Sequence, residues 1–110
     1  MIFNTLYESS LKGELILIDG GMCRYHLCKT PSKKGQITIH EIIVQQEKMN
    51  QGIGTLILNQ LKQIPEMTSI FAKCPVDYES NKWYESRGFV LEGTEYTKGG
   101  KQINLWRLQN

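Results

Sequence analysis

The stretch most able to do chemistry is Met49-Asn50-Gln51-Gly52-Ile53-Gly54. It falls where a strand-like run ends and an amphipathic helical pattern begins. A helix start leaves about four backbone N–H groups without partners and carries a partial positive charge. Gly52 and Gly54 lack the Cβ atoms that would keep an anion away from the backbone. These residues could cradle a diphosphate, or they could be a glycine-assisted turn. They are not a Walker loop, because Thr55 follows Gly54 where a lysine is needed. They are not a dinucleotide fingerprint either, because Ile57 stands where a third glycine belongs.

The remaining candidates are bases, thiols and metal ligands. Cys23, His26, Cys28 and His40 are of the residue types that hold zinc. Their spacing is not C-x-x-C, so no metal is expected. An odd count of 3 cysteines points to reduced thiols and a cytoplasmic compartment. Each histidine reads either as a proton acceptor or as an exposed strand residue. Lys29, Lys33 and Lys34 make a small basic patch, a solvated loop or an attractor for an acidic acceptor surface. With 13 basic and 11 acidic side chains the net charge is +2, which argues for neither nucleic acid nor an anionic membrane.

Those groups need elements to position them. At 110 residues, 40% hydrophobic and 22% charged, the chain has the make-up of one folded domain over 1–110. Its apolar runs, such as Leu15–Ile18, are too short for a membrane span, and its first residues carry no basic-then-apolar export signal. Phe3, Leu6, Tyr7 and Leu11 predict a short helix that Gly13 stops. Leu15–Asp19 and Cys23–Lys29 predict a hairpin around Gly20-Gly21. Gln36–Val44 reads as a third strand. Its alternation fails after Glu41, where Ile42, Ile43 and Val44 are all apolar, and this predicts a bulge or a move into the middle of the sheet. Gly52–Ile64 predicts a helix with Ile53, Leu56, Ile57, Leu61 and Ile64 on one stripe and Pro65 as its stop. A strand over Thr68–Lys73 follows, then a helix over Asp77–Arg87 with Asp77 as N-cap and Gly88 as stop. Phe89–Glu92 and Ile103–Leu108 complete the strands. The expected fold class is α/β, with helices packed on a mostly antiparallel sheet.

Two segments carry a family resemblance. Val44 to Ile57 resembles the acetyl-CoA-binding segment of the GNAT N-acetyltransferase superfamily. In that family a strand ending in Val leads through a loop to Arg or Gln, two residues, Gly, one residue, and Gly or Ala. Trp83-Tyr84-Glu85-Ser86-Arg87-Gly88-Phe89 resembles the aromatic-Tyr-Glu-Lys-x-Gly-Phe stretch that ends the family's last helix and opens its next strand. The segments come in the family's order, and the resemblance covers Leu15 to Leu108. Met49 departs from the pattern, standing where the family has Arg or Gln. Asp77 stands where many members have the Asn that contacts the pantetheine arm.

The resemblance implies a GNAT-like mixed, mostly antiparallel central sheet flanked by helices, with a bulged, splayed middle strand. It implies a compact member with a shortened N-terminal region. The implied activity is direct transfer of an acetyl group from acetyl-CoA to a primary amine, on a protein lysine or N-terminus or on a small molecule. Met49, Asn50, Gln51, Gly52, Ile53, Gly54 and Thr55 would hold the diphosphate. Backbone groups of Ile42, Ile43 and Val44 would pair with the pantetheine amides, and an N–H near Ile43 or Val44 would polarise the thioester carbonyl. Asn81, one turn on from Asp77, would stand in for the missing Asn. Tyr84 matches the tyrosine that faces the departing sulfur; read without the family it is a core aromatic. An amine acceptor with a pKa near ~10.4 must lose a proton before it attacks. Glu41 and His40 lie just before the expected bulge, where the family often places a carboxylate, so they are the expected bases. Glu41 stands slightly ahead, and His26 is next in line. The expected partners are acetyl-CoA and an amine acceptor, with no membrane and no nucleic acid, in a monomer or homodimer. The alternative is a non-catalytic acyl-CoA-binding regulatory module, which Met49 and Asp77 favour and Tyr84 disfavours.

Overall fold

The computed structural model describes residues 13–110. The helix expected from Phe3 to Leu11 lies outside them. Six strands form one sheet: β1 (Leu15–Ile18), β2 (Gly21–Leu27), β3 (Gln36–Val44), β4 (Ser69–Pro75), β5 (Val90–Tyr96) and β6 (Gln102–Gln109). Their order across the sheet is β1-β2-β3-β4-β6-β5. Among the described residues only the central β3–β4 pair is parallel. The connection between them runs through helix α1 (Ile53–Lys62), as a parallel crossover requires. Helix α2 (Ser80–Ser86) joins β4 to β5.

Cross-strand partners share a sheet face, so the register shows which face is the core. Cys23 pairs with Ile42, Tyr25 with Ile39, Ile37 with Ile70, and Ala72 with Trp106. All but Ile42 are buried, and Ile42 packs against them. Helix α1 closes over β2 and β3, with Ile57, Leu58 and Leu61 buried. The expected stripe needs one correction: Leu56 is 54% exposed, and Leu58 takes the inward position. Spacings of four and eight residues from Ile53 carry Ile57 and Leu61 inward, and Leu58 lies beside them, whereas Leu56 falls outside that arc.

Several boundaries also differ. Helix α1 stops two residues early, because Gln63 and Ile64 tighten into i→i+3 bonds to Gln60 and Leu61 at 3.2 Å, just ahead of Pro65. Asp77 is not the N-cap of α2. The chain makes tight turns through Pro75–Glu79, where Tyr78 N–H donates to Pro75 O at 3.1 Å, and the helix starts at Ser80. The β3 bulge is present but lies one position before the expected break. Arg24 opposes Glu41 and Tyr25 opposes Ile39, which leaves His40 as the extra residue. That insertion sends Ile39 and Ile42 to the same face. It leaves Ile43 48% exposed on the opposite one, so the Ile42–Val44 run is not buried on both sides.

Candidate active site

The sheet opens in the middle. The β3–β4 ladder runs only from Gln36↔Ser69 to Ile39↔Ala72, although β3 continues to Val44 and β4 to Pro75. Beyond Ile39 the two strands part. Gln45 donates its N–H to Gly20 O at 2.8 Å, so Gln45 faces β2. In an antiparallel pair that orientation alternates, so Ile43 and Glu41 also face β2. Ile42 and Val44 then turn their N–H and C=O groups toward the gap that β4 has left. This corrects the expectation for Ile43: its N–H belongs to the β2 ladder, and Ile42 and Val44 carry the free groups.

The loop after β3 offers more unpartnered donors. Among the described residues, the N–H groups of Asn50 to Thr55 make no hydrogen bond, and the first helical bond is Leu56 N–H to Gly52 O at 2.9 Å. Gly52 caps the helix with φ 81°, a left-handed conformation that suits glycine, and nothing lies within 4 Å of where its Cβ would be. Gly54 is small for a different reason. A Cβ there would sit 3.0 Å from Cζ2 of Trp83, so this glycine lets α1 approach α2. Lys48, adjacent to Met49, is already paired with Asp19 at 3.3 Å.

A cleft of about 550 Å³ joins these features. The free edge of β3 (Ile42, Val44) forms one wall, and the loop with the start of α1 forms another. The third wall is Ser80, Trp83, Tyr84 and Arg87, with Glu79 beside them. Their spacing places Ser80, Trp83 and Tyr84 on one stripe of α2, with Arg87 at the cap just past its end. Sequence reasoning missed Ser80, Trp83, Arg87 and Glu79 as site residues, although that periodicity around Tyr84 was there to be read. Arg87 makes no ion pair among the described residues and supplies positive charge to the cleft.

Tyr84 is 4% exposed and meets Trp83 and Phe89 edge-on at 5.2 and 5.1 Å. Burial, and then the nearby Cys74 and Cys23, push its phenol well above the ordinary tyrosine value. The phenol therefore keeps its proton at neutral pH, with no hydrogen-bond partner among the described residues.

The cleft brings together nine of the expected residues: Ile42, Val44, Met49, Asn50, Gly52, Ile53, Gly54, Thr55 and Tyr84. Gln51 lies just off it, its side chain donating to Glu47 O at 3.3 Å. Asn81 does not line it. Its amide donates to Pro75 O and Tyr78 O at 2.8 Å and accepts from Asn104 Nδ2 and Trp106 Nε1 at 2.9 Å. With these bonds made, Asn81 ties the turn before α2 to β6 and keeps its amide turned away from the cleft lining.

The expected bases sit on the other face of the sheet. His40, at the bulge, is the first β3 residue beyond the last β3–β4 pair. The covered part of its ring, then Arg24, then His26 hold its imidazole below the ordinary histidine range, against the pull of Glu14. Glu41 is paired with Arg24, Nε to Oε1 at 3.4 Å. His26 stacks against His40, ring centroids 6.5 Å apart. Cys23 is sealed on the core face, so the cysteine–histidine set does not assemble, and burial raises its thiol to about 12.

No family model matches the sequence, and no curated protein does. Solved structures match it clearly. A protein from Desulfovibrio desulfuricans assigned to the GNAT family superposes with TM-score 0.66 at 19% identity, over 82% of this chain and 61% of that one. A Bacillus anthracis protein named as a streptothricin acetyltransferase, solved with acetyl coenzyme A, gives 0.71 at 20% identity, over 83% and 56%. Arabidopsis thaliana Naa50, solved with the bisubstrate analogue CoA-Ac-MVNAL, gives 0.73 at 17% identity, over 97% and 81%. The chain thus spans less than two thirds of the first two. The described residues share the fold of these solved acetyltransferases, the first of them assigned to the GNAT family.

Proposed function

We propose that the protein transfers an acetyl group from acetyl-CoA to a primary amine, on a protein or a small molecule. The observation that carries this reading is the cleft. Its walls present the free amides of Asn50–Thr55, the Arg87 side chain and the unpaired edge of Ile42 and Val44. Backbone donors in a row, with cationic charge nearby, suit a diphosphate. A strand edge without its neighbour suits an extended arm that carries amides. The solved neighbours that hold acetyl coenzyme A or a CoA–peptide analogue support the same choice.

Each step then has a residue. The N–H of Ile42 or Val44 polarises the thioester carbonyl as negative charge develops on its oxygen. Tyr84 donates a hydrogen bond to the departing sulfur. His40 takes the proton of the arriving amine, because it stands where the sheet opens and its neutral form is favoured. Glu41 yields that role to His40, since Arg24 already engages its carboxylate. A second reading, binding of acyl-CoA without turnover, rests on Met49, which lines the cleft with no charge to offer.

Calorimetry and thermal unfolding with acetyl-CoA test the first step. Saturation at a hundredfold over Kd adds about 2.7 kcal/mol of stability. Neither heat nor a shift in Tm at millimolar ligand would end the acetyl-CoA reading. Binding without thiol release across an amine screen would favour the module without turnover.

A further inference from the structure

Glu14 enters β2 from outside its ladder. It lies just before β1, and its Oε2 accepts the Leu27 N–H at 3.1 Å and contacts His26 Nδ1 at 2.9 Å. A backbone N–H can only donate, so this oxygen is an acceptor, and the hydrogen between it and His26 belongs to Nδ1. His26 is thereby held as the Nδ1–H tautomer, with Nε2 open to accept a proton. Glu14 is 16% exposed and His26 51% exposed. One end of this pair is anchored and the other is wet, and the His26 ring stacks on His40 at 6.5 Å.

We infer that Glu14 and His26 form the outlet for the proton that acetyl transfer releases. The inference rests on the transfer reading above. An ammonium acceptor and acetyl-CoA become an acetamide, a free thiol and one proton. His40 takes one proton from the ammonium group, the nitrogen lone pair forms the new C–N bond as the C–S bond breaks, and the second proton shed by nitrogen ends on the departing sulfur. The imidazolium of His40 passes its proton to Nε2 of His26, directly or through water, and His26 releases it to solvent. Glu14 is the positioning residue: it sets the tautomer and steadies the transient charge on His26. Arg24 works in the opposite sense by disfavouring a second positive charge, and its partner Glu41 offsets part of that. Arg24 and Glu14 are the charged side chains that act on His40 beside His26.

The test has two arms on the full chain. Histidine-ring nitrogen NMR should find His26 as Nδ1–H in the parent and lose that preference in Glu14→Ala. A parent His26 in the Nε2–H form overturns the inference whatever the activity. Thiol release from acetyl-CoA is then measured with a simple alkyl amine and with a peptide carrying an N-terminal amine and one lysine. His26→Asn should fall about tenfold and become dependent on buffer, with added imidazole restoring it while leaving the parent unchanged. A His26→Asn rate equal to the parent's, or a loss that imidazole does not restore, overturns the relay and leaves the transfer reading standing. No binding of acetyl-CoA, or no thiol release by the parent with either acceptor, overturns the transfer reading and the relay with it.

Discussion

Replacing Tyr84 by Phe removes one oxygen and keeps the ring. The ring packs edge-on against Trp83 at 5.2 Å and Phe89 at 5.1 Å, and stacks on Trp106 at 6.4 Å. None of these contacts uses the hydroxyl, which makes no hydrogen bond among the described residues and belongs to a side chain lining the cleft. Unfolding free energy should therefore change by less than about 0.5 kcal/mol. The loss should fall on the step in which negative charge gathers on sulfur. A hydrogen bond to a charged group contributes about 1.5–3 kcal/mol. At about 1.4 kcal/mol per decade, kcat should drop roughly tenfold to a hundredfold. Acetyl-CoA affinity should hold, because the interaction strengthens only as the bond breaks. Burial first, then Cys74 and Cys23, raise the Tyr84 pKa, so the phenol stays protonated through neutral and mildly alkaline pH. The deficit of the variant should then be constant from about pH 6 to 9. Steady-state thiol release gives kcat and KM, calorimetry gives Kd, and urea unfolding gives stability. An unchanged kcat, or a loss confined to KM, would refute the assignment.

Gly54→Val should displace Trp83, because the first added carbon already lies 3.0 Å from its ring; expect altered tryptophan emission and acetyl-CoA binding weakened about tenfold, a loss of roughly 1.4 kcal/mol. Gly52→Ala meets no atom within 4 Å but keeps φ 81°, so it should cost about 1 kcal/mol of stability while acetyl-CoA still binds. Asn81→Ala strips partners from Trp106 Nε1 and from two carbonyls, and urea unfolding should report a loss of about 2–4 kcal/mol. The acid limb of kcat/KM should lie below the ordinary histidine value of about 6.5, because burial, Arg24 and His26 all lower the His40 pKa. With the base protonated below its pKa and free above it, activity rises with pH through that limb. His40→Gln should abolish the limb and Glu41→Gln should keep it, and the reverse result moves the base to Glu41.

Much of this protein is legible from local pattern. The hairpin, the third strand, the glycine loop and the helix after it follow from alternation, helical spacing and the breaks at glycine and proline, which act within a few residues. The loop Met49–Thr55 could be picked out before any fold was known, since the free donors of a helix start are local properties, whereas Tyr84 stands out only through the family resemblance and by itself reads as a core aromatic. The structure decided what depends on distant partners. Asn81 reads as a candidate cofactor contact until Trp106 and Asn104, on the far strand β6, take its oxygen. Gly54 reads as clearance for an anion until Trp83, from another helix, comes to 3.0 Å of its missing side chain. The alternation of β3 signals an irregularity, but only the register against β2 places the extra residue at His40 and turns the Ile42 and Val44 amides toward the gap. Glu41 and His40 are neighbours in sequence with similar claims as bases. Their difference comes from Arg24 across the strand pair and from the coverage of the imidazole ring, and neither is present until β2 and β3 are side by side. Hydrogen-bond partners, register and burial are set by residues far apart in the chain, so they exist only in the folded molecule.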